Sequence, residues 1–488
     1  MEKEPKENKE STVIGEHLRG ILENEGIPPS IVQFGGQTAI NLAKPLARAN
    51  LPILGTSAES IDIAEDRARF QNLLEKIGVP QPPGASIYTI EEALSTATII
   101  GYPVLARPSY VLGGRAMELI QNAQELTHYL EEGFELSKGK AILIDKYLEG
   151  IEAEVDAVCD GDEVLIPGVM EHVERAGVHS GDSIAVYPPI NLNNDEVDTI
   201  VDYTHRVSIA LSVRGLINIQ FVIVRSLSSS EVYVIEANPR ASRTTPFISK
   251  VTGISMVNLG TRVMLGKKLR EMGYKGGLSP KQKLVAVKAP VFSMSKLPGV
   301  DTYLGPEMRS TGEVMGIDYT FEAALAKAFL AAGISLPTQG TVLLSLSDRT
   351  KPEARPLIQK LADTGYQLFA TEGTAAMIQS MRLQVEKVIK SLDKGHPNAI
   401  DVLHDGLVNA VINTPEGGQV GTLRDGFYIR RTAVEKGVPC FTSLDTARVA
   451  IELMLAKEPK FTVQPLNDYL STLVSDGDLE RTRERSES

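Results

Sequence analysis

Short apolar runs alternate with helical patterns from Ile31 onwards. The runs IVQF and LPILG are separated by a helix-like pattern over residues 40–50, and this alternation is typical of an α/β layer. A further helix is predicted over residues 66–77, and the prolines of VPQPPG directly after it impose an extended chain. We therefore predict a short α/β layer over residues 12–65 and a domain boundary near residue 66.

The next region is rich in β-branched runs and has few helical patterns. Strands are predicted for YPVLARPS, AILIDKYL, EAEVDAVCD, EVLIPGVM, LINIQFVIV and EVYVIEAN. This mixture predicts an α+β domain rather than a wound parallel sheet, and we assign residues 66–310 to it. The alanine-rich FEAALAKAFLAAG predicts a helical connector over residues 311–337, which ends at the PTQG turn.

A strand, helix, strand rhythm returns after this turn. The runs TVLLSLSD, LVNAVINTPEG and VPCFTS, with helical patterns between them, predict a small doubly wound domain over residues 338–465. Residues 1–11 are predicted to be a disordered tail and residues 466–488 a C-terminal tail, because the charged segments 1–11 and 475–488 bury too little apolar surface to offset the cost of ordering. The predicted fold class is therefore a multidomain combination of α/β and α+β units.

Composition excludes several functional classes. The 488 residues carry 50 basic against 62 acidic side chains, a net charge of -12, which disfavours nucleic acid as a partner. No secretory signal or membrane-length apolar run is present, so we expect a cytoplasmic protein without a membrane partner. Cys159 and Cys440 are far apart and lack ligand-like spacing, which argues against a disulfide framework or a zinc site.

Oxygen ligands cluster on a predicted hairpin. LINIQFVIV and EVYVIEAN flank the turn-rich RSLSSS, and pairing about this turn places Gln220 within one residue of Glu236. Asn238 shares a strand face with Glu236, and oxygen donors of this kind suit Mg²⁺. Arg240 and Arg243 follow directly and supply cations for a phosphoryl group. An ordinary polar hairpin edge is the alternative.

Two loops add groups that suit an anion. In RPSYVLGGRAME, Gly113 and Gly114 allow backbone N–H groups to approach a phosphate, although the pattern is neither a P-loop nor a dinucleotide fingerprint. In GVHSGDS, residues 177–183, a turn exposes His179 and Ser180 to a polar ligand. Each loop also fits an ordinary glycine or polar turn.

In this order, the motifs resemble the ATP-grasp superfamily and, within it, the C-terminal half of the carbamoyl phosphate synthetase large-subunit family. The resemblance extends from about Ile31 to about Leu455 and rests on IVQFGGQTAINLA, GTSAESIDIAEDRARF, RPSYVLGGRAMEL, EHVERAGVHSGDS, EANPRASRTTPFISK and LGPEMRSTGEVMG. It implies a partial pre-ATP-grasp layer, an ATP-grasp domain and a methylglyoxal-synthase-like domain. The first strand and glycine turn of the family's α/β layer are expected to be missing, because residues 1–30 do not resemble them, and the family's first ATP-grasp half is absent from this chain.

The resemblance also implies a catalytic site. ATP would be bound by Arg67, Arg107, Gly113, Gly114, Lys146, Leu148, Glu152, Gly177, Val178, His179, Ser180, Gln220 and Glu236. Two Mg²⁺ or Mn²⁺ ions would be held by Gln220, Glu236 and Asn238, with Arg240 and Arg243 as the catalytic cations. The implied reaction is ATP-dependent phosphorylation of carbamate to carbamoyl phosphate, for arginine and pyrimidine biosynthesis. The implied partners are a separate N-terminal half and a glutaminase small subunit, and self-association is an alternative.

The C-terminal domain is similar to the family's effector-binding domain. A nucleoside monophosphate would be bound by Ser345, Lys351, Thr371, Thr374, Lys387, Asn413 and Thr414. From the residues alone, TEGT and NTPEGG are hydroxyl- and glycine-rich turns after strands, which suit a small phosphate or are simply strand-ending turns. Two alternatives remain for the whole chain: a different ATP-grasp ligase, and a non-catalytic nucleotide-binding fragment that needs a separate N-terminal half.

Overall fold

Four sheets organise the computed structural model. It describes residues 20–22, 24–108, 117–137, 141–296, 299–390, 395–415, 420–456 and 461–471. Within these residues no helix is long and apolar enough to cross a membrane.

The N-terminal layer is small. Its strands β1 (Ser30–Ile31) and β2 (Ile53–Leu54) pair in parallel. Its helices are α1 (Gly36–Ile40), α2 (Ala43–Arg48), α3 (Ala58–Glu65) and α4 (Arg67–Lys76). The side chains of Ser57 and Asp66 cap α3 and α4, and a core that includes Ile40 and Leu46 closes the layer.

One buried residue attaches this layer to the rest of the chain. Gln33 donates from Nε2 to Thr56 at 2.7 Å, and its Oε1 accepts the Leu216 N–H at 3.3 Å. Its backbone carbonyl accepts the Ala241 N–H at 2.9 Å. Gly215 allows this approach, because it has φ +115° and a Cβ there would lie 2.2 Å from Gln33 Oε1.

A four-stranded antiparallel sheet follows, with strand order β3-β6-β4-β5. Its elements are β3 (Gly84–Ile87), α5 (Ile90–Ile100), β4 (Val104–Pro108), β5 (Glu118–Ile120), α6 (Ala123–Ser137) and β6 (Ile142–Lys146). Thr89 and Glu92 form a capping box that begins α5, and the apolar sides of α5 and α6 pack on the sheet.

The largest sheet has the central order β12-β11-β7-β9-β10-β14-β15, with β8 and β13 beside it. Its strands are β7 (Ile151–Asp160), β8 (Val164–Ile166), β9 (Val169–Arg175), β10 (Ala185–Tyr187), β11 (Arg214–Arg225), β12 (Ser230–Asn238), β13 (Gly277–Leu278), β14 (Val285–Val291) and β15 (Gly312–Asp318). The helices around it are α7 (Asn194–Ala210), α8 (Thr244–Thr252), α9 (Met256–Met264) and α10 (Phe321–Ala331). We call the four-stranded sheet and the largest sheet, with the helices that pack on them and their connecting loops, the central body.

A five-stranded parallel sheet forms the C-terminal domain. Its strands are β16 (Thr341–Ser345), β17 (Gln367–Thr371), β18 (Glu386–Val388), β19 (Ala410–Asn413) and β20 (Cys440–Phe441). Its helices are α11 (Lys351–Asp363), α12 (Glu372–Ser380), α13 (Ala399–His404), α14 (Val420–Glu435) and α15 (Leu444–Leu455). The order β18-β17-β16-β19-β20 reverses between β16 and β19, so the doubly wound prediction is confirmed.

The central body and the C-terminal domain share one hydrophobic core. The buried side chains of Val186 and Val287 in the large sheet belong to the same cluster as Phe329 of α10 and Leu344 of β16. Because apolar burial is the main stabilising term in folding, this shared core holds the two units together.

Two predicted boundaries need correction. The connector assigned to residues 311–337 begins with β15, which pairs with β14 over seven positions and belongs to the large sheet. The predicted C-terminal tail begins with a short helix, α16 (Leu466–Ser471), and Tyr469 within it is buried. Both errors arise from contacts between residues distant in sequence, for example that of Tyr469 with Lys327.

Candidate functional site

The predicted oxygen ligands lie together on the β11–β12 hairpin. Gln220 is directly opposite Glu236 in the strand register, next to an irregularity between Gln220 and Phe221. Asn238 Nδ2 donates to Glu236 Oε1 at 2.9 Å, and Gln220 Nε2 donates to Ser180 Oγ at 2.9 Å. The hairpin therefore presents one carboxylate and two amide oxygens within one small area.

This donor set is compatible with a metal–nucleotide complex. Mg²⁺ prefers oxygen ligands and usually keeps waters and substrate phosphates beside one or two carboxylates. In the described part of the chain no cluster of three or more His, Cys, Asp or Glu side chains is arranged to hold a metal alone. Gln220, Glu236 and Asn238 would therefore hold a cation jointly with phosphate oxygens.

Arg240 and Arg243 follow the hairpin on a short segment. Arg240 Nη2 donates to Asn238 Oδ1 at 3.3 Å, and Arg243 Nη1 donates to Ser310 Oγ at 2.8 Å. Neither guanidinium forms an ion pair with a carboxylate in the described residue ranges. Both guanidinium groups could therefore contact an anion placed at the hairpin.

A buried carboxylate fixes this segment. Asp156 on β7 accepts hydrogen bonds from the hydroxyl groups of Ser242, Thr244 and Thr245, at distances between 2.6 and 2.9 Å. Burial, together with the nearby charge of Glu154, raises the pKa of Asp156 to about 6. The segment that carries both arginines is thus held by a saturated network, as pre-organised electrostatic sites require.

Residues 177–183 form a loop beside the hairpin. His179 Nδ1 accepts the Gly181 N–H at 3.0 Å, so Nε2 carries the proton of the neutral ring. Burial lowers the pKa of His179 despite the opposing charge of Glu236, which favours this neutral form. Lys288 Nζ donates to the Ser180 carbonyl at 3.0 Å, and burial lowers the pKa of Lys288. The loop thus offers a neutral N–H donor next to the oxygen ligands.

A buried histidine supports Glu152. His172 lies between Glu152 and Glu154, with ring nitrogens 3.1 and 3.2 Å from their carboxylate oxygens. Burial opposes protonation, but the hydrogen bonds and charges of the two carboxylates outweigh it and raise the pKa of His172 to about 9. The pKa of Glu154 falls to about 2, because attraction from His172 and Lys288 outweighs its burial. Glu152 is therefore held in place by an imidazolium.

The remaining predicted ATP ligands lie on or near the four-stranded sheet. Arg67 Nη2 binds Asp145 at 2.7 Å, and Lys146 Nζ donates to the carbonyls of Gly101 and Tyr102 at 3.0 Å. Arg107 lies on β4, and Leu148 follows β6. Gly113 and Gly114 lie outside the described residues. In this arrangement protein groups engage Lys146 and the Nη2 group of Arg67, whereas Arg67 Nε is buried without a hydrogen-bond partner in the described part of the chain.

The predicted effector residues gather where the strand order of the C-terminal domain reverses. Ser345 and Asn413 are the last residues of the neighbouring strands β16 and β19, and Thr371 ends β17. Asn413 Nδ2 donates to the Ser345 carbonyl at 3.1 Å, and Thr374 Oγ1 accepts the Leu346 N–H at 3.0 Å. Ligands of open α/β sheets bind at such carboxyl-end switch points.

A lysine and the N-terminus of a helix lie beside the place where the strand order reverses. A Cβ on Gly373 would lie 3.0 Å from Lys351 Nζ, so this ammonium group covers the first turn of α12. Helix N-termini and cations both favour anions. Thr414 Oγ1 accepts the Ser347 N–H at 2.9 Å, and Lys387 lies in the middle of β18. These groups form a second candidate anion site, which we call the hydroxyl site.

Sequence reasoning missed two participants. Ser310 binds Arg243, and Arg430, buried on α14, donates from Nη1 to Asn413 at 2.6 Å. Ser310 lies in LGPEMRSTGEVMG, which carries part of the family resemblance but was given no role, and Arg430 lies in none of the quoted motifs. Each acts through contacts across long sequence separations. An arginine pair at Arg430 and Arg431 in an otherwise amphipathic helix was the only available signal.

Family models match three parts of the chain. Residues 11–63 match the carbamoyl-phosphate synthase preATP-grasp domain, residues 66–272 match the ATP binding domain of the carbamoyl-phosphate synthase L chain, and residues 353–442 match an MGS-like domain. The first match begins at residue 11, so the expectation that residues 1–30 do not resemble this layer of the family is wrong for residues 11–30.

Whole-chain comparisons agree with these matches. The carbamoyl phosphate synthase large chain of Thermomicrobium roseum is 58% identical over 443 residues, which cover 91% of this chain and 41% of that protein. The biotin carboxylase domain of Hydrogenobacter thermophilus 2-oxoglutarate carboxylase, crystallised with MgADP, ADP and bicarbonate, shares the fold at a TM-score of 0.52 and 19% identity, covering 65% of this chain and 76% of that chain.

The fold and the hairpin site define an ATP-grasp protein joined to an MGS-like domain. The chain belongs to the carbamoyl phosphate synthase large-chain family. It spans less than half the length of the curated relative that it matches.

Proposed function

We propose that the central body phosphorylates carbamate with ATP, as the C-terminal synthetic half of a carbamoyl phosphate synthase. The observation that carries this proposal is the juxtaposition of Gln220, Glu236 and Asn238 with Arg240 and Arg243. The reaction type is supported by the ATP binding family model, and carbamate is chosen because of the product named for the relative from T. roseum.

In this mechanism the protein positions groups and supplies charge. A carbamate oxygen attacks the γ-phosphorus of ATP, the bond to the β-phosphate oxygen breaks, and ADP leaves. Arg240 and Arg243 stabilise the charge that spreads over the transferring oxygens, and His179 donates a hydrogen bond from Nε2. Gln220, Glu236 and Asn238 would hold one or two Mg²⁺ or Mn²⁺ ions, which neutralise phosphate charge when bound.

Glu152 and the loop over residues 177–180 complete the nucleotide site in this proposal. Glu152 would accept hydrogen bonds from ribose hydroxyl groups, since His172 holds its carboxylate in place. Arg67, Arg107, Lys146 and Leu148 would approach the nucleotide from the four-stranded sheet. Arg67 could bind a phosphate without releasing Asp145, because its bonds to Pro82 and Asp145 use only Nη2.

The hydroxyl site would bind a nucleoside monophosphate effector. Three observations support it: the position at the strand-order reversal, the hydroxyl and amide groups at the strand ends, and Lys351 over the first turn of α12. The wider expectations are proposals of the same kind: a separate N-terminal half, a glutaminase small subunit or self-association as partners, and a role in arginine and pyrimidine biosynthesis in the cytoplasm.

The decisive experiment follows ATP formation from carbamoyl phosphate and MgADP. This reverse reaction uses only the site described above and needs no ammonia or bicarbonate step. We expect ATP synthesis that depends on both the divalent metal and carbamoyl phosphate. A folded chain that binds MgADP but forms no ATP would contradict the proposed activity and favour a non-catalytic nucleotide-binding fragment.

A control identifies the substrate class. Acetyl phosphate in place of carbamoyl phosphate carries the same transferable group on a different carboxylate. Equal rates with both donors would favour another ATP-grasp ligase over the carbamate reaction.

A further inference from the structure

An irregular segment connects the hydroxyl site with the proposed phosphoryl-transfer site, which consists of Gln220, Glu236, Asn238, Arg240 and Arg243 with the loop over residues 177–183. Residues 299–311, which we call the bridging loop, run from a 3-10 turn at Met294–Lys296 to β15. The loop contacts the C-terminal domain at one end and the loop over residues 177–183 at the other. It therefore contacts the 177–183 loop directly and reaches the hydroxyl site through Arg430, which binds both Asp301 and Asn413.

At the C-terminal domain, the guanidinium group of Arg430 binds both the bridging loop and the hydroxyl site. Arg430 is 2% exposed and donates from Nε and Nη2 to the two carboxylate oxygens of Asp301, at 2.7 and 2.5 Å. Its Nη1 donates to Asn413 Oδ1 at 2.6 Å. The absence of a side chain at Gly426 makes room, because a Cβ there would lie 2.9 Å from Nη1. Asn413 and Asp301 are thus bound to the same rigid group.

At the other end, the bridging loop contacts the phosphoryl-transfer residues directly. The Gly305 carbonyl accepts the His179 N–H at 2.8 Å, and Asp182 accepts the Ser310 N–H at 2.8 Å. The Ser310 hydroxyl accepts from Arg243 Nη1 at 2.8 Å. A shift of the bridging loop would therefore move the anchors of both His179 and Arg243.

The planar geometry of the Arg430 guanidinium links the position of Asn413 to the position of Asp301. Its donors are fixed in one plane, so Arg430 cannot tilt toward Asn413 without changing its two bonds to Asp301. A nucleotide phosphate that accepts a hydrogen bond from Asn413 must use Nδ2, which now donates to the Ser345 carbonyl, and turning the amide toward the phosphate also moves Oδ1, the acceptor for Arg430. Because a buried ion pair is costly to leave unpaired, Asp301 must follow any movement of Arg430.

We propose that Asp301 and Arg430 are positioning residues that couple occupancy of the hydroxyl site to the placement of His179 and Arg243. This inference rests on the proposed function of the hydroxyl site as a nucleoside monophosphate site. Coupling of this kind is reciprocal: the effector changes MgADP affinity by the same factor by which MgADP changes effector affinity.

The test measures both affinities in one thermodynamic cycle. Calorimetry gives the Kd for MgADP with and without saturating UMP or IMP, and the Kd for UMP or IMP with and without MgADP. For the wild-type chain we expect a change of about fivefold or more, the lower end of typical coupling. In Asp301→Asn we expect UMP or IMP still to bind, with the coupling factor reduced to about one, the limit of independent sites.

Two further variants separate coupling from folding. Asp301→Glu keeps the carboxylate and should retain measurable coupling, which guards against simple misfolding of Asp301→Asn. Lys436→Gln changes an exposed charge directly after the same helix without touching the bridging loop, and should couple as the wild type does. Undiminished coupling in Asp301→Asn overturns the inference.

A second readout needs no effector response. Hydrogen exchange in Asp301→Asn should increase both in residues 301–310 and in residues 177–183, because the two segments share hydrogen bonds. An increase confined to residues 301–310 also overturns the inference. If neither UMP nor IMP binds the wild-type chain, the effector role fails together with the coupling, while the ATP-synthesis test of the central body is unaffected.

Discussion

The two candidate sites of this chain are built from different chemical groups. The hairpin site on β11 and β12, for which we propose phosphoryl transfer, is surrounded by buried charged residues, including Glu154, Asp156, His172 and Lys288. The hydroxyl site at the ends of β16, β17 and β19 has mostly neutral groups, with Lys351, which pairs with Asp348, on one side and the buried Arg430 behind Asn413. A transition state needs fixed charges where its own charge develops, whereas a site that must bind and release an effector needs only modest attraction.

The largest effect should follow loss of the hairpin carboxylate. Glu236→Gln keeps the side-chain volume but removes the only negative charge among the proposed metal ligands. We expect ATP synthesis to fall by about three orders of magnitude, since metal assistance contributes several kcal/mol. The matched control is Glu231→Gln, an exposed carboxylate on the same strand, which should keep its activity. Near wild-type turnover in Glu236→Gln would remove Glu236 from the metal site.

A smaller loss should follow an arginine to lysine change beside the hairpin. Arg240→Lys keeps the charge but loses the planar fork that matches a phosphoryl group, so we expect kcat to fall about 100-fold with little change in the KM for MgADP. Arg206→Lys on the exposed face of α7 is the control. A change in KM alone would mean that Arg240 binds the ground state and not the transition state.

The buried charges of the central body predict a pH dependence of stability. Folding raises the pKa of His172 to about 9, so its stabilisation is complete below its unfolded pKa of about 6.5 and is lost as the pH rises through about 9. We expect the free energy of unfolding to decrease by roughly 2 kcal/mol over this interval, measured by urea denaturation. His172→Asn should flatten this decrease, whereas His205→Asn, an exposed position, should leave it unchanged. An equal slope in all three proteins would show that His172 is not charged in the folded state.

The smallest effect is expected at the hydroxyl site. Lys351→Ala removes one charge-assisted contact to a phosphate, and we expect the affinity for UMP or IMP to fall about tenfold by calorimetry. Lys360→Ala, a half-exposed lysine on the same helix, is the control. A loss of affinity of about three orders of magnitude, as large as the loss of activity expected for Glu236→Gln, would contradict the comparison between the two sites. It would show that the hydroxyl site also depends on a single fixed charge.

Local patterns predicted the hairpin accurately. The alternation of apolar residues and the position of the RSLSSS turn placed Gln220 near Glu236, and the register places them directly opposite each other. Strand-ending positions were also predictable, because TEGT and NTPEGG follow apolar runs, and Thr371 and Asn413 end β17 and β19. These features depend on residues close in sequence, for which periodicity and turn chemistry are sufficient.

Long-range contacts were not predictable from the same patterns. Arg430 and Asp301 are 129 positions apart, Gln33 reaches Leu216 across 183 positions, and β15 joins the large sheet although a helical connector was expected. Such contacts form only when separate elements pack together. The residues that make them lie in segments whose sequence patterns are those of ordinary helices and strands.

The amino-acid sequence by itself determined the family, the order of the domains and the identity of the candidate ligands, because these properties are encoded in local motifs and their order. Only the tertiary structure decided which carboxylates share protons and charge with His172, and which segment connects the two sites. The physical reason is that pKa values depend on burial and on neighbouring charges, and that coupling depends on contact. Both arise from packing between residues that the sequence places far apart.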